Sequence, residues 1–134
     1  MNVKRTERGW GAHFIAADYC RFRRNTLLEY RDRKWIVSTV GNYIPAFKTE
    51  PTTIGFTRWY ETMVFEAEMQ NGYIDADVCK QIDIDNDWGI WGETWEEVMK
   101  TYRTPDNAAN NMHERIVDEM TEKIQRGQKN DVRR

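Results

Sequence analysis

Trp59-Tyr-Glu-Thr-Met-Val-Phe-Glu-Ala-Glu-Met-Gln70, Asn71-Gly72 and Tyr73-Ile-Asp-Ala-Asp-Val-Cys-Lys-Gln-Ile-Asp-Ile84 read as strand, turn and strand. Asn-Gly is the preferred pair for a type I′ turn, which needs positive φ at both central residues and joins antiparallel strands through two residues. A turn of that length fixes the register. It sets Met69 opposite Ile74, Ala67 opposite Ala76, Phe65 opposite Val78 and Trp59 opposite Ile84 on one face. On the other face stand Glu68 opposite Asp75, Glu66 opposite Asp77, Val64 opposite Cys79 and Tyr60 opposite Asp83. The first face is apolar and the second largely acidic, so the pattern predicts one covered face and one wet face. Opposed carboxylates cost about 0.2–1 kcal/mol per pair, which solvent, a cation or arginines from a neighbouring chain would offset.

Outward from the hairpin, Thr26–Tyr30 and the β-branched run Trp35–Val40 predict two more strands around a polar turn at Arg31–Lys34. Trp10–Ala17 is short, apolar and Gly-led, and it too reads as a strand. Residues 41–57 hold Gly41, Pro45, Pro51 and Gly55 and predict a loop able to close over a ligand. The last third reads as helical. Glu93–Tyr102 forms one helix, with Trp91, Trp95, Val98 and Met99 at helical spacing. A second helix starts at Pro105-Asp106 and places Ala109, Met112, Ile116, Met120 and Ile124 on one side, with Gly127 as its stop. The expected architecture is one α+β domain over 1–134: an antiparallel sheet of about five or six strands within 1–87, two C-terminal α-helices within 88–127, and a frayed tail at 128–134. The helices carry more apolar surface than a small sheet face covers, which predicts a homodimer or higher homo-oligomer with the last helix in the interface.

The charge is bipolar. Residues 1–34 carry nine Lys/Arg against four Asp/Glu, and residues 35–104 five against twelve. The basic end concentrates in Cys20-Arg-Phe-Arg-Arg-Asn-Thr26. Arginine suits phosphate because its planar fork donates two parallel hydrogen bonds. If this segment is extended, Arg21 and Arg23 share one face and Arg24 the other, with Asn25, Trp10 and His13 available to a base or ribose. The competing reading pairs these arginines with the acidic hairpin face. Asp106-Asn-Ala-Ala-Asn-Asn111 opens the last helix with Asp106 as its cap; Asn107 and Asn111 offer amides, and Arg115 lies a turn further on. Arg58 and Tyr60 stand on the wet face beside the loop.

Catalytic and metal motifs are missing from the sequence. Asp83-Ile-Asp85-Asn-Asp87 begins like a calcium loop but has Trp88 and Thr94 where Gly and Glu are needed. His13, His113, Cys20 and Cys79 have no zinc-ligand spacing. No cofactor motif is present. A formal net charge of −2 argues against coating long nucleic acid. With no signal peptide and no long apolar run, the expectation is a cytoplasmic protein with reduced thiols and no membrane partner.

Several segments together resemble a family of small phage and prophage proteins: Arg5–Trp10, His13-Phe14, Phe22–Tyr30, Val37–Gly41, Tyr60–Met63, Asp75–Asp77 and Met112–Glu114. The chain is similar to the first type of Thoeris anti-defence protein, a non-enzymatic sponge for glycocyclic ADP-ribose signals made by bacterial TIR enzymes. The resemblance implies a sheet with C-terminal helices, a dimeric or higher assembly with pockets at subunit boundaries, and a site in an infected or lysogenic bacterial cell. It matches Arg58 and Arg115 to the family's phosphate- and base-contacting arginines. A departure from the family pattern in Trp88–Tyr102 would bear on ligand preference and not on fold. The expected function is therefore sequestration of a small cyclic nucleotide without turnover. The alternative is an inhibitor of the anti-CRISPR or anti-restriction type that presents the acidic face to a host protein. A nucleotide-hydrolysing enzyme is the third class.

Overall fold

The computed structural model describes residues 2–8, 13 and 17–132, with backbone alone for Ala17 and 128–132. Six antiparallel strands form one sheet: β1 Lys4–Glu7, β2 Cys20–Tyr30, β3 Arg33–Tyr43, β4 Arg58–Gln70, β5 Tyr73–Ile82 and β6 Gly89–Trp91. The order is β1-β2-β3-β4-β5, and β6 joins the same edge of β4 below β5. Helices α1, Trp95–Tyr102, and α2, Pro105–Val132, follow. The α+β architecture of sheet and two C-terminal helices is the one the sequence predicts. Of the strand expected over 10–17, residues 10–12 and 14–16 lie outside the described residues, and Ala17 begins a single 3-10 turn.

The hairpin forms at Asn71-Gly72, with φ of 49° and 86°. Its expected register holds for Met69↔Ile74, Glu68↔Asp75 and Ala67↔Ala76, then breaks. Phe65 pairs with Gln81 and Val64 with Ile82, so residues 77–80 bulge out of the ladder. Asp77 explains the break: its Oδ1 accepts the Cys79 backbone N–H at 3.0 Å and so replaces a strand partner. The expected facing of Glu66 by Asp77, Phe65 by Val78 and Val64 by Cys79 is thereby removed. Glu66 instead meets Arg33 at 2.9 Å, which relieves the repulsion. Further along β4, β6 takes over: Tyr60 pairs with Ile90 and Arg58 with Trp91, in place of Asp83 and Ile84 for Tyr60 and Trp59.

The wet-face expectation is also overturned. The helices pack on the face that carries Tyr60 and Val64, both fully buried, together with Leu28 and Val37. At the hairpin tip the expected core side chain Met69 is exposed. The opposite face is covered too, since Leu27, Ile36, Val40 and Phe65 are buried there. The part of the chain expected to be helical, 88–127, opens instead with β6, ahead of the expected helix Glu93–Tyr102, and Trp91 pairs with Arg58 rather than joining a helical face. Thr94 then caps α1 by accepting the Glu97 N–H at 3.1 Å. Helix α2 passes through Gly127 and continues to Val132, so that glycine is no stop and 128–132 is helical in backbone. The ridge Ala109, Met112, Ile116, Met120 and Ile124 is buried as its spacing predicts. This burial is against the chain's own sheet, so the ridge makes no demand for a second subunit.

Polar groups pin α2 to the sheet. His113 is wholly buried between Thr26 Oγ1 at 2.7 Å from Nε2 and Thr39 Oγ1 at 2.7 Å from Nδ1. Thr26 also contacts Glu7 Oε1 at 2.5 Å, and Thr39 contacts Thr62 Oγ1 at 2.6 Å. The directions follow from charge. An ionised carboxylate only accepts, so Thr26 donates to Glu7 and accepts from His113 Nε2–H. Neutral Nδ1 then accepts from Thr39, which accepts from Thr62. Around this chain, Glu114 receives Arg5 and, at 2.7 Å, Arg24, and Arg24 also reaches Glu7 at 2.6 Å and Asn110 Oδ1 at 2.9 Å. Glu7, His113 and Glu114 crowd together as metal ligands would, but both ring nitrogens and both carboxylates already have these partners.

Burial, and then the nearby Arg24, push the His113 pKa down from 6.5 to about 4. The unfolded chain therefore takes up a proton between pH 6.5 and 4 that the folded chain refuses. We predict full stability above that window and a loss of about 3 kcal/mol on acidification through it. Denaturant titrations at stepped pH check this, and His113→Gln flattens the slope in that window while lowering stability throughout. Glu114, held near 2 by its arginines, adds its own loss only below its ordinary value of 4.5.

A tight approach holds the middle of the sheet. A Cβ on Gly41 would lie 2.1 Å from the Tyr60 ring across the β3–β4 pair. Gly41→Ala is expected to destabilise by about 1–3 kcal/mol through overpacking, read from chemical denaturation.

Candidate ligand clefts

β5 releases β4 at Val64 and β6 takes it up at Glu61, and the segment 83–88 spans the gap. The cleft left beside it has a volume of about 450 Å³ and is lined by Arg58, Glu61, Met63, Ile82, Asp83 and Trp88 among others. Arg58 is the cation of this cleft. Its Cζ lies 5.4 Å from the Trp88 ring centre and 5.9 Å from that of Trp91, and the two indoles meet edge to face at 5.2 Å. Gly55 gives the guanidinium room, since a Cβ there would fall 2.4 Å from Nη2. Glu61 Oε2 stands 2.5 Å from Nε, but the direction is wrong for a hydrogen bond, and Nε is left buried without a partner. Arg58 is thus three-quarters buried and ion-paired to Glu61 while its Nε makes no hydrogen bond, which leaves guanidinium donors for an anion.

Glu61 is 6% exposed. Burial pulls its carboxyl up, while the hydrogen bond from His13 and the Arg58 charge outweigh that and hold it below the usual carboxylate range. Tyr60 is fully buried under α2 and donates to Asp106 Oδ1 at 2.5 Å. Burial, then the Asp106 carboxylate, push its phenol up. Tyr60 is therefore a core residue and not a cleft residue. Asp106 serves it and Asn42 instead of capping α2, whose first turn closes on the Thr104 carbonyl.

The basic knot divides by face, as an extended strand requires. Arg24 turns toward α2 and is consumed by Glu7, Glu114 and Asn110. Arg23 lies 3.5 Å from the exposed Asp18, and Arg21 is exposed with no ion pair among the described residues. None of the three pairs with the acidic hairpin. Asn25 is 5% exposed and lines a separate cavity with His13. Asn111 and Arg115 line a cleft of about 170 Å³ on the far side of β6, with Asp87 and Tyr102, while Asn107 is exposed outside it. Trp10 lies outside the described residues. The structure thus brings Arg58 together with Trp88 and Trp91, and Arg115 together with Asn111, but gathers neither pair with the knot.

Glu61 and Trp88 were not singled out as site residues. The spacing Arg58-x-x-Glu61 is visible in the sequence, but only the strand exchange at β6 turns Trp88 onto Arg58. No known protein family matches the chain, and no curated protein and no solved structure was found similar to it. No helix among the described residues is long and apolar enough to cross a membrane.

If Arg24 is a fastener of the helix, Arg24→Ala will lower stability by about 2 kcal/mol, the scale of charged hydrogen bonds lost around buried partners. Affinity for a ligand of the Arg58 cleft will be unchanged in a parallel calorimetric titration.

Proposed function

We propose that this protein binds a small phosphorylated nucleotide of the cyclic ADP-ribose kind in the Arg58 cleft and keeps it from its receptor without cleaving it. The carrying observation is Arg58, fixed between Trp88 and Trp91 at the wall of a cleft of about 450 Å³. A guanidinium beside indoles offers a charged fork to phosphate and an aromatic edge to a base. Stacking contributes roughly 1–3 kcal/mol per base in single-strand binders, and charged hydrogen bonds about 1.5–3 kcal/mol each. Two charged hydrogen bonds from Arg58 and one base stacked on Trp88 contribute about 4–9 kcal/mol, and contacts from a second copy would supply the rest of the roughly −12 kcal/mol that nanomolar affinity needs. The sequence resemblance supports the same reading and places the protein's work in an infected bacterial cell.

Assembly belongs to this reading. Trp91, Met99 and Tyr102 are the uncovered apolar side chains around β6 and α1, each between 37% and 41% exposed. A second copy seated there would close the Arg58 and Arg115 clefts from outside.

Calorimetry with cyclic ADP-ribose isomers is expected to show nanomolar binding that Arg58→Ala weakens by about 10- to 100-fold, the range of one or two charged hydrogen bonds. Mass spectrometry of ligand released by heat will recover it intact. Appearance of ADP-ribose or AMP would place the protein among nucleotide hydrolases, and absence of binding to any cyclic nucleotide would favour the protein-inhibitor class.

Light scattering at micromolar concentration is expected to give at least a dimer, with Trp91→Glu shifting it to monomer. A wild-type monomer would remove the assembly part of the reading alone.

A further inference from the structure

On the face of the sheet opposite α2, Ser38, His13 and Glu61 form a connected line. Ser38 Oγ is 2.9 Å from His13 Nδ1, and His13 Nε2 is 2.9 Å from Glu61 Oε1. The sheet sets two of the three. Ser38 pairs with Met63 across β3–β4, and Glu61, two residues from Met63, shares its face. His13 closes over both. With the imidazole neutral, the ionised Glu61 can only accept, so Nε2 carries the hydrogen and Nδ1 receives the Ser38 proton. A hydroxyl aimed at a base that a carboxylate orients is the wiring of nucleophilic catalysis, here with the two ring nitrogens in exchanged roles.

The line faces a cavity of about 220 Å³ lined by Arg8, His13, Asn25, Ser38, Phe65 and Val78 among others. Asn25 pairs directly with Ser38 across β2–β3, is 5% exposed, and its Oδ1 has no hydrogen-bond partner. Its Nδ2 is free to donate to an oxygen in the cavity that Asn25 lines. Arg8 has no ion pair among the described residues.

We propose that Ser38 is the nucleophile of a second, catalytic site that hydrolyses a short-chain acyl ester, with His13 as general base and acid, Glu61 orienting His13, and Asn25 facing the oxyanion. Its cavity is distinct from the Arg58 cleft and takes a different ligand, and Glu61 is the residue the two share, one oxygen toward His13 and the other toward Arg58. Ile36, Phe65 and Val78 and the small volume suit a short acyl chain, and Arg8 and Asp75, both in the lining, suit a polar, uncharged leaving group. Ser38 Oγ bonds to the carbonyl carbon as its proton passes to His13 Nδ1, and the carbonyl π pair moves onto oxygen. The pair returns, the bond to the alkoxy leaving group breaks, and that group takes the proton from His13. Water then attacks the acyl-serine, gives its proton to His13, and displaces Ser38, which recovers it as the carboxylic acid leaves. The backbone N–H groups beside Ser38 belong to the sheet ladder, so one side-chain donor does the work usually shared by two. Turnover is accordingly slow, and covalent capture is the sensitive readout.

The full chain is incubated with a fluorophosphonate probe and, separately, with p-nitrophenyl acetate. The expected result is one adduct per chain, mapped to Ser38 by peptide mass, lost in Ser38→Ala and slowed more than tenfold in Glu61→Gln and Asn25→Ala. Circular dichroism shows that each variant is folded. Folded wild type without adduct at Ser38, or equal labelling of folded Glu61→Gln, overturns the proposal.

Discussion

The buried His113 is the contact on which the arrangement of this protein turns. An apolar helix ridge sets which face α2 lays on the sheet, but not where along the strands it stops, because hydrophobic contact is tolerant of sliding. His113 removes that freedom. Its two nitrogens meet hydroxyls on β2 and β3 at 2.7 Å each, and a third hydroxyl on β4 completes the line. A one-residue slip would leave a desolvated imidazole without partners, a cost comparable to a large part of a small domain's stability. Around it, Arg5 and Arg24 carry the charges of Glu7 and Glu114 and bind β1 and β2 to the helix. Two cations of the basic N-terminal part, Arg5 and Arg24, thus find counter-charge in Glu7 and the distant Glu114, while Arg8 and Arg21 have no ion pair among the described residues.

This answers the bipolar charge pattern. The knot looked like a ligand site because three arginines in four residues exceed one ion pair. In space they separate by strand alternation, and Arg24 alone absorbs two carboxylates and an amide. In the function proposed above the anion-receiving role goes instead to Arg58, one of eleven candidate residues in the sequence. What distinguishes it is geometric: two indoles, a glycine under the guanidinium and an imperfectly aimed carboxylate.

The overall class was readable because its signals are local. Asn71-Gly72 dictates a turn, β-branched runs dictate strands, and the ridge of α2 follows helical spacing. The failures arise where a side chain competes with the ladder or where partners are far apart in the chain. Asp77 captures a neighbouring N–H and shifts the register by three residues, which no alternation pattern announces. Trp91 has helical spacing to Trp95 but is drawn into a strand by Arg58. His13, Ser38 and Glu61 are separated by 25 and 48 positions along their contacts, so their meeting depends on the β3–β4 register and on where His13 falls beside it. His113 beside Met112 was readable as a buried structural histidine, but its hydroxyl partners were not.

The bulge at 77–80 has a further consequence for how the molecule meets its own kind. Among the described residues β5 has β4 on one side only, so its other side is an open rim of peptide groups. A straight rim of ten residues would be a template on which another chain adds a strand, then another, without end. Here the rim is broken in its middle, and Asp77 and Lys80 stand at the break. The far rim, β1, is four residues long and reads Lys-Arg-Thr-Glu, all exposed. Neither border lets the sheet grow sideways. Any union of copies would therefore have to use faces, where contact surfaces are finite, and would close into a countable particle in place of a fibre.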